Sequence, residues 1–388
     1  MLNITETFLS YKGVYGESKH RMIQYQIKLK LSKKQEKELD RWLFHLYRIW
    51  NWGIRKIEND GNDGKYYTKN HFKNILANHS GTLEIPSHTI QGILDMCWTS
   101  WQRCYKNLAK KPRLKGRRNR LNSIPFPDPI KYPTNNRIKV PKIGLIKYHK
   151  QHIPEGKIKC GRIVKRASGW YLCLFIDAQP KGVQPKQDKI IGIDPGLKNH
   201  LTTTDDKLNE ILKDSKRPEG KIKDRLAQAQ RGRKKKLVSR LNERLKNRRK
   251  DDNHKLSRKL VEECKGIYFS KDRIRSIAKK PKPEKKKNGT YKKSIRLGKS
   301  VQEAGHYQLR QMVSYKCNAS GRIYAEIDSK DSTKTCSHCQ ARTGPTGKRG
   351  LSVRQWKCTG CGSSHDRDRN AAINTLHAGL GMSLERVA

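Results

Sequence analysis

The sequence predicts a mixed chain, an α/β domain accompanied by an all-α portion and an all-β portion. Three observations carry this. Residues 32–110 space apolar side chains at helical intervals. Residues 121–178 break into short alternating strands punctuated by Pro and Gly. From residue 189 onward, apolar strand text alternates with long basic helical text and closes on two CxxC pairs.

Taken in order, "RMIQYQIKLKL" (21–31) alternates Ile23, Tyr25, Ile27, Leu29 and Leu31 with polar neighbours, the pattern of a half-buried strand. Ser32 with Gln35 forms a capping-box start, and Leu39, Trp42, Leu43, Leu46, Ile49 and Trp50 then fall along one helical face, read as packing core rather than as a base-stacking surface. Helical text continues through "HTIQGILDMCWTSWQRCYKNLAK" until the basic run "KKPRLKGRRNR" breaks the period. The segments "RIKVPKIGLIKYHK", "KIKCGRIVKRAS" and "GWYLCLFIDA" read as a small β-barrel or sandwich, interrupted after its first strand by the helical insertion.

Past a polar linker at 180–187, "KIIGIDPGLKNHLTTTDD" runs apolar from Ile190 to Ile193 and ends in Asp194, Pro195 and Gly196. A carboxylate fixed at a buried strand end beside a Gly turn suits a divalent cation. A long basic helix follows, with Leu237, Leu241, Leu245, Leu256 and Leu260 on its apolar stripe and the opposite face offered to phosphates. "CKGIYFSKDRI" reads as a short strand, "AKKPKPEKKKNGTYKKS" as a low-complexity basic segment, and "KSVQEAGHYQLRQMVSYKCN" as one helix. In "RIYAEIDSKD" a strand would place Glu326 and Asp328 on one face, opposite Ile323, Ala325 and Ile327. "HDRDRNAAINTLHAG" sets Asp366 and Asp368 just ahead of a final helix bearing Ala371, Ala372, Ile373 and Leu376.

Charge and cysteine content narrow the chemistry. In 388 residues, 87 Lys plus Arg against 35 Asp plus Glu give a formal charge of +52. Such a surface repels itself unless a polyanion neutralises it, so nucleic acid is the expected partner. No stretch approaches the roughly 18 apolar residues of a membrane span, and the first twenty residues have no basic segment followed by a compact apolar run. The expectation is a soluble intracellular protein, cytoplasmic and nucleoid-associated in a bacterium or nuclear in a eukaryotic or viral setting. Cys336, Cys339, Cys358 and Cys361 form two CxxC pairs separated by residues 340–357, a spacing that presents four thiolates to zinc. The other six cysteines are scattered and read as small buried hydrophobes.

In their order, "GIDPGLKNHLTTT", the CxxC pairs and "DRDRNAAINT" resemble the RuvC-like nuclease of TnpB proteins, transposon-encoded relatives of type V CRISPR effectors. The strands "RIKVPKIGLIKYHK" and "GWYLCLFIDA" resemble the TnpB wedge domain. The resemblance implies an RNase H-like RuvC core with an inserted zinc ribbon, a β-barrel wedge domain and a helical recognition insertion. The corresponding boundaries are 1–31 and 119–184 for the wedge, 32–118 for the recognition domain, 185–332 and 364–388 for the nuclease and 333–363 for the ribbon. It further implies RNA-guided DNA cleavage at two Mg²⁺ ions held by three acids, with one zinc ion, a guide RNA, a target DNA and one copy of the chain per RNA. Asp194 matches the first acid and Asp368 the third.

The second acid does not match, because "IYFSKD" offers Ser270 and Lys271 where these proteins carry Glu-Asp. Serine cannot replace a bridging carboxylate. Three readings stand: Glu326 supplies the acid from the neighbouring strand, as in the related Fanzor proteins; Asp272 supplies it; or the site is inactive and the protein binds DNA under RNA guidance as a repressor. The first is the working expectation, which makes Asp194, Glu326 and Asp368 the catalytic and magnesium-binding set and Cys336, Cys339, Cys358 and Cys361 the zinc set.

Overall fold

The computed structural model describes residues 21–76, 80–116, 119–131, 134–178, 185–197, 199–213, 219–271, 290, 297–328, 330–346, 350 and 352–381. Asp272 and almost all of the basic segment 279–293 lie outside them. The chain divides into two compact units, Met1–Pro180 and Lys181–Ala388.

In the first unit, strand β1 (Arg21–Lys30) leads into helix α1 (Lys33–Asn62). The predicted capping box is present: Ser32 Oγ accepts from Gln35 N at 3.2 Å and Ser32 N donates to Gln35 Oε1 at 3.1 Å. Helices α2 (Lys69–Asn74), α3 (Ser80–Leu83) and α4 (Ser87–Tyr105) complete the insertion. The aromatic stripe of α1 is core, with Leu39, Trp42, Leu43, Leu46, Ile49 and Trp50 all buried in one cluster with Ile90, Ile93 and Leu94 of α4.

Strands β2 (Ser123–Phe126), β3 (Arg137–Val140), β4 (Gly144–Tyr148), β5 (Lys157–Arg166) and β6 (Gly169–Ala178) join β1 in one six-stranded sheet of order β2-β5-β6-β1-β4-β3, every pairing antiparallel. Among the described residues β2 and β3 do not pair, so the six strands form an open ladder where the sequence reads as a small β-barrel or sandwich.

The second unit is built on β7 (Ile190–Pro195), β8 (Leu201–Thr203), β9 (Gly266–Lys271) and β10 (Ile323–Asp328), in the order β10-β9-β7-β8. β10, β9 and β7 are parallel and β8 returns antiparallel. Helices α5 (Asp206–Lys213), α6 (Gly220–Arg231) and α7 (Lys235–Glu263) connect β8 to β9. The leucines of α7 serve two cores: Leu241 and Leu245 meet Ile222 and Ala229 of α6, whereas Leu256 and Leu260 pack under the sheet.

The single helix expected from residue 299 is two, α8 (Gly298–Ala304) and α9 (His306–Ala319). Gly305, at φ 68°, takes the left-handed conformation that ends one helix and starts the next. Ile193, Ile267 and Phe269 share a core with Leu309, Val313 and Cys317 of α9, which defines one face of the sheet. The final helix α10 (Arg367–Gly379) packs on the other face. There Gly192 lets the backbones approach: a Cβ would meet the Ala372 carbonyl, Leu376 N at 2.7 Å and Leu376 Cβ at 2.9 Å. Between β10 and α10, β11 (Gln355–Lys357) and β12 (Ser364–Asp366) form a hairpin.

Candidate functional site

Asp194 occupies the end of β7, half-buried, level with Thr202 of β8. The turn beyond it closes with Gly196 N donating to His200 O at 3.3 Å. Register with β9 aligns Ile193 with Phe269, so the next rung sets Asp194 and Ser270 together on the opposite face, the one that receives α10. Ser270 is fully buried and its Oγ has no hydrogen-bond partner among the described residues.

Glu326 does not fill this position. It pairs with Phe269, whereas Ile327 pairs with Ser270, so its side chain belongs to the α9 face. Its contacts agree: Oε1 accepts from Tyr324 Oη at 3.2 Å and Oε2 lies 3.9 Å from Nη1 of Arg310, a buried guanidinium that also donates to Ser270 O at 3.5 Å. The expectation that Glu326 joins Asp194 and Asp368 is therefore corrected, because one residue of strand register moves a side chain to the other side of the sheet. The apolar half of the β10 pattern also misleads: Ile323 is exposed, and Tyr324 packs on the core instead.

Asp366 caps α10, accepting from Arg369 N at 2.9 Å. Asp368 lies in the first turn, and Arg354, just before β11, donates Nη1 to both its oxygens at 3.2 and 3.1 Å. The three acids do not form a cluster; among the described residues only the four cysteines gather, with ligand atoms within 4.8 Å of one another. The residues present do not match a three-carboxylate magnesium site: a serine stands beside Asp194, Glu326 faces away, and Asp368 is paired to an arginine.

The cysteines do fit zinc. Sγ separations of 3.5 Å for Cys339 to Cys358 and 3.7 Å for Cys336 to Cys361 approach the edge of about 3.8 Å that a tetrahedron of Zn–S bonds requires. Thr343 Oγ1 donates to Cys358 Sγ at 3.1 Å and holds that thiol below its ordinary range. The hydrogen bond with the Ser363 side chain brings Cys361 down to about 5, favouring the thiolate a metal needs, while burial raises Cys336. His365 Nε2 lies 3.0 Å from Cys336 Sγ. Arg354 and His365 were legible in the sequence only by position, one just before the ribbon hairpin and the other beside the DRD stretch. For Asn370 and Asn374 the spacing of four on α10 was the available clue.

The Cas12f1-like TNB domain model matches residues 306–375. A Streptomyces pristinaespiralis protein named as an RNA-guided DNA endonuclease is 30% identical over 318 residues, 77% of this chain and 73% of its own length. An Escherichia coli protein named RNA-guided DNA endonuclease InsQ is 23% identical over 92% of both chains. A solved Cas12f1–sgRNA–target DNA complex shares the fold at a TM-score of 0.51 and 12% identity, covering 92% of this chain and 99% of that one. A mimivirus TnpB-like protein is 28% identical over 54% of this chain and 41% of its own length. With the ordered motifs, the zinc-type cluster and a relative of this identity and coverage, the chain belongs to the TnpB family.

Proposed function

We propose that this chain is an RNA-guided DNA endonuclease whose nuclease core lies within residues 185–332 and 364–388, with residues 333–363 as its zinc ribbon. Residues 1–31 and 119–184 act as the wedge and 32–118 as the recognition domain. The observation that supports cleavage is the placement of Asp194 at the end of a central parallel strand, on the face that receives the helix carrying Asp368. Asp194 and Asp368 are the acids on which this proposal rests; no step is routed through magnesium, because the acids present do not form a three-carboxylate site among the described residues. The reading does not use Glu326, and no step is assigned to a third carboxylate.

The chain's own residues supply the nucleic-acid surface. Lys235, Lys236, Arg240 and Arg244 lie exposed on the first half of α7 and suit phosphate contacts, which position a strand without reading its sequence. Guide pairing then supplies sequence choice. The second reading, RNA-guided DNA binding without cleavage, rests on Ser270 occupying the position where the family resemblance implies an acid.

The test uses the co-purified ribonucleoprotein on a matched DNA target with magnesium, comparing wild type with Asp194→Ala and Glu326→Ala. The endonuclease reading expects wild type to cut and Asp194→Ala to bind without cutting, with cleavage surviving in whatever Glu326→Ala protein folds. Binding without cutting by wild type establishes the second reading. Cleavage by protein free of RNA sinks both.

A further inference from the structure

The helix that carries Asp368 is fastened to the ribbon by two buried amides. Asn370 and Asn374, 1% and 7% exposed, lie one turn apart on α10. Asn370 Nδ2 donates to Thr335 O at 2.8 Å and Ser332 O at 3.1 Å; Asn374 Nδ2 donates to the same two carbonyls at 2.7 and 2.8 Å. Asn370 Oδ1 accepts from Ser337 N at 2.9 Å, inside the first CxxC loop. The other arm of the ribbon reaches the helix start, where Arg367 N donates to Arg354 O at 2.7 Å beside the Arg354–Asp368 pair.

Asn is a weak helix former, so two buried asparagines on one helix face are explained by their partners and not by helix propensity. Those partners are backbone groups of 332–337, the segment that leads into and contains the Cys336 thiol. A metal bound at the four thiols fixes this segment, and the segment fixes the amides. Without the metal the carbonyls are free to move, and each amide left buried without a partner destabilises the first turns of α10.

We propose that Asn370 and Asn374 are positioning residues that couple zinc occupancy of the ribbon to the order of α10, and so to the placement of Asp368. The coupling itself rests only on zinc binding by Cys336, Cys339, Cys358 and Cys361; its consequence for Asp368 rests on the nuclease reading.

Hydrogen exchange on the full-length protein tests it, zinc-loaded and after chelation. Chelation is expected to speed exchange of amides 367–375 at least tenfold while β7 and β9 keep their protection. The double variant Asn370→Ala/Asn374→Ala is expected to show the same acceleration with metal bound. Cobalt(II) substituted at the ribbon should still give its thiolate charge-transfer band in that variant at saturation, with affinity lowered by about the same factor, because coupling is reciprocal. Asn370→Asp, which keeps the acceptor for Ser337 N but loses the donor, should fall between.

Unchanged exchange on chelation, wild-type protection or unchanged cobalt affinity in the double variant, or loss of β7 protection together with α10, would each overturn the coupling. No cleavage is measured, so an inactive nuclease leaves the result standing.

Discussion

Substituting Gly192→Ala tests whether the contact between α10 and β7 sets the geometry of the acids. Gly192 lies two residues before Asp194 on the same face, and an added methyl would stand 2.7 Å from Leu376 N and 2.9 Å from Leu376 Cβ. Ordinary contact needs about 3.4–4 Å, and the Ala372 carbonyl would stand closer still than Leu376, so α10 must retreat by about 1 Å or more, or the strand must bend. Overpacking of this kind costs about 1–3 kcal/mol, against which reduced freedom of the unfolded chain returns about 0.4–1 kcal/mol. The net expectation is a loss of about 1–2 kcal/mol.

A shift near 1 Å between Asp194 and Asp368 would lower a positioned reaction about 10²-fold. Urea unfolding reads the first quantity and single-turnover cleavage the second, with exchange of α10 amides replacing cleavage if wild type does not cut. Gly220→Ala, whose Cβ would have nothing within 4 Å, is the control. A Gly192→Ala protein as stable as wild type, with unchanged cleavage and exchange, would refute the close-packing argument.

Glu326→Ala should destabilise the second unit by about 2–3 kcal/mol by leaving buried Arg310 without its counter-charge, and Glu326→Gln by less; an urea midpoint unmoved by either would show that the pair contributes nothing. Ser270→Glu places a buried carboxylate on the Asp194 face, so melting temperature should fall without divalent ions and recover with magnesium; an absence of metal-dependent recovery counts against a cation site there. His254 is pushed down to about 3 by burial and then by Lys316, so the folded protein keeps it neutral while the unfolded chain takes up a proton below about 6.5. Stability should therefore fall as pH drops from 6.5 toward 3, by up to about 1.4 kcal/mol per unit, and His254→Gln should remove that part of the slope in urea midpoints between pH 7 and 5.

Much of the architecture follows from local patterns. The capping box at Ser32, the buried stripe of α1, the apolar run into Asp194 and the two CxxC pairs are fixed by neighbours a few residues apart, and each forms as its spacing dictates. The same locality explains the misses. Gly305 splits a helix because one left-handed residue outweighs the surrounding periodicity, and the open sheet depends on whether β2 meets β3, which alternation does not encode.

The candidate site divides in the same way. Asp194, Asp368 and the absence of an acid at Ser270 can be read directly along the chain. Whether Glu326 replaces that acid depends on how β10 registers against β9, a relation between segments more than fifty residues apart. With a side-chain period of two, a single rung decides which face Glu326 occupies, and tertiary packing places it with Arg310. The roles of Arg354, Asn370 and Asn374 likewise arise only when ribbon and helix meet, because their partners are backbone and carboxylate groups that sequence spacing alone does not bring together.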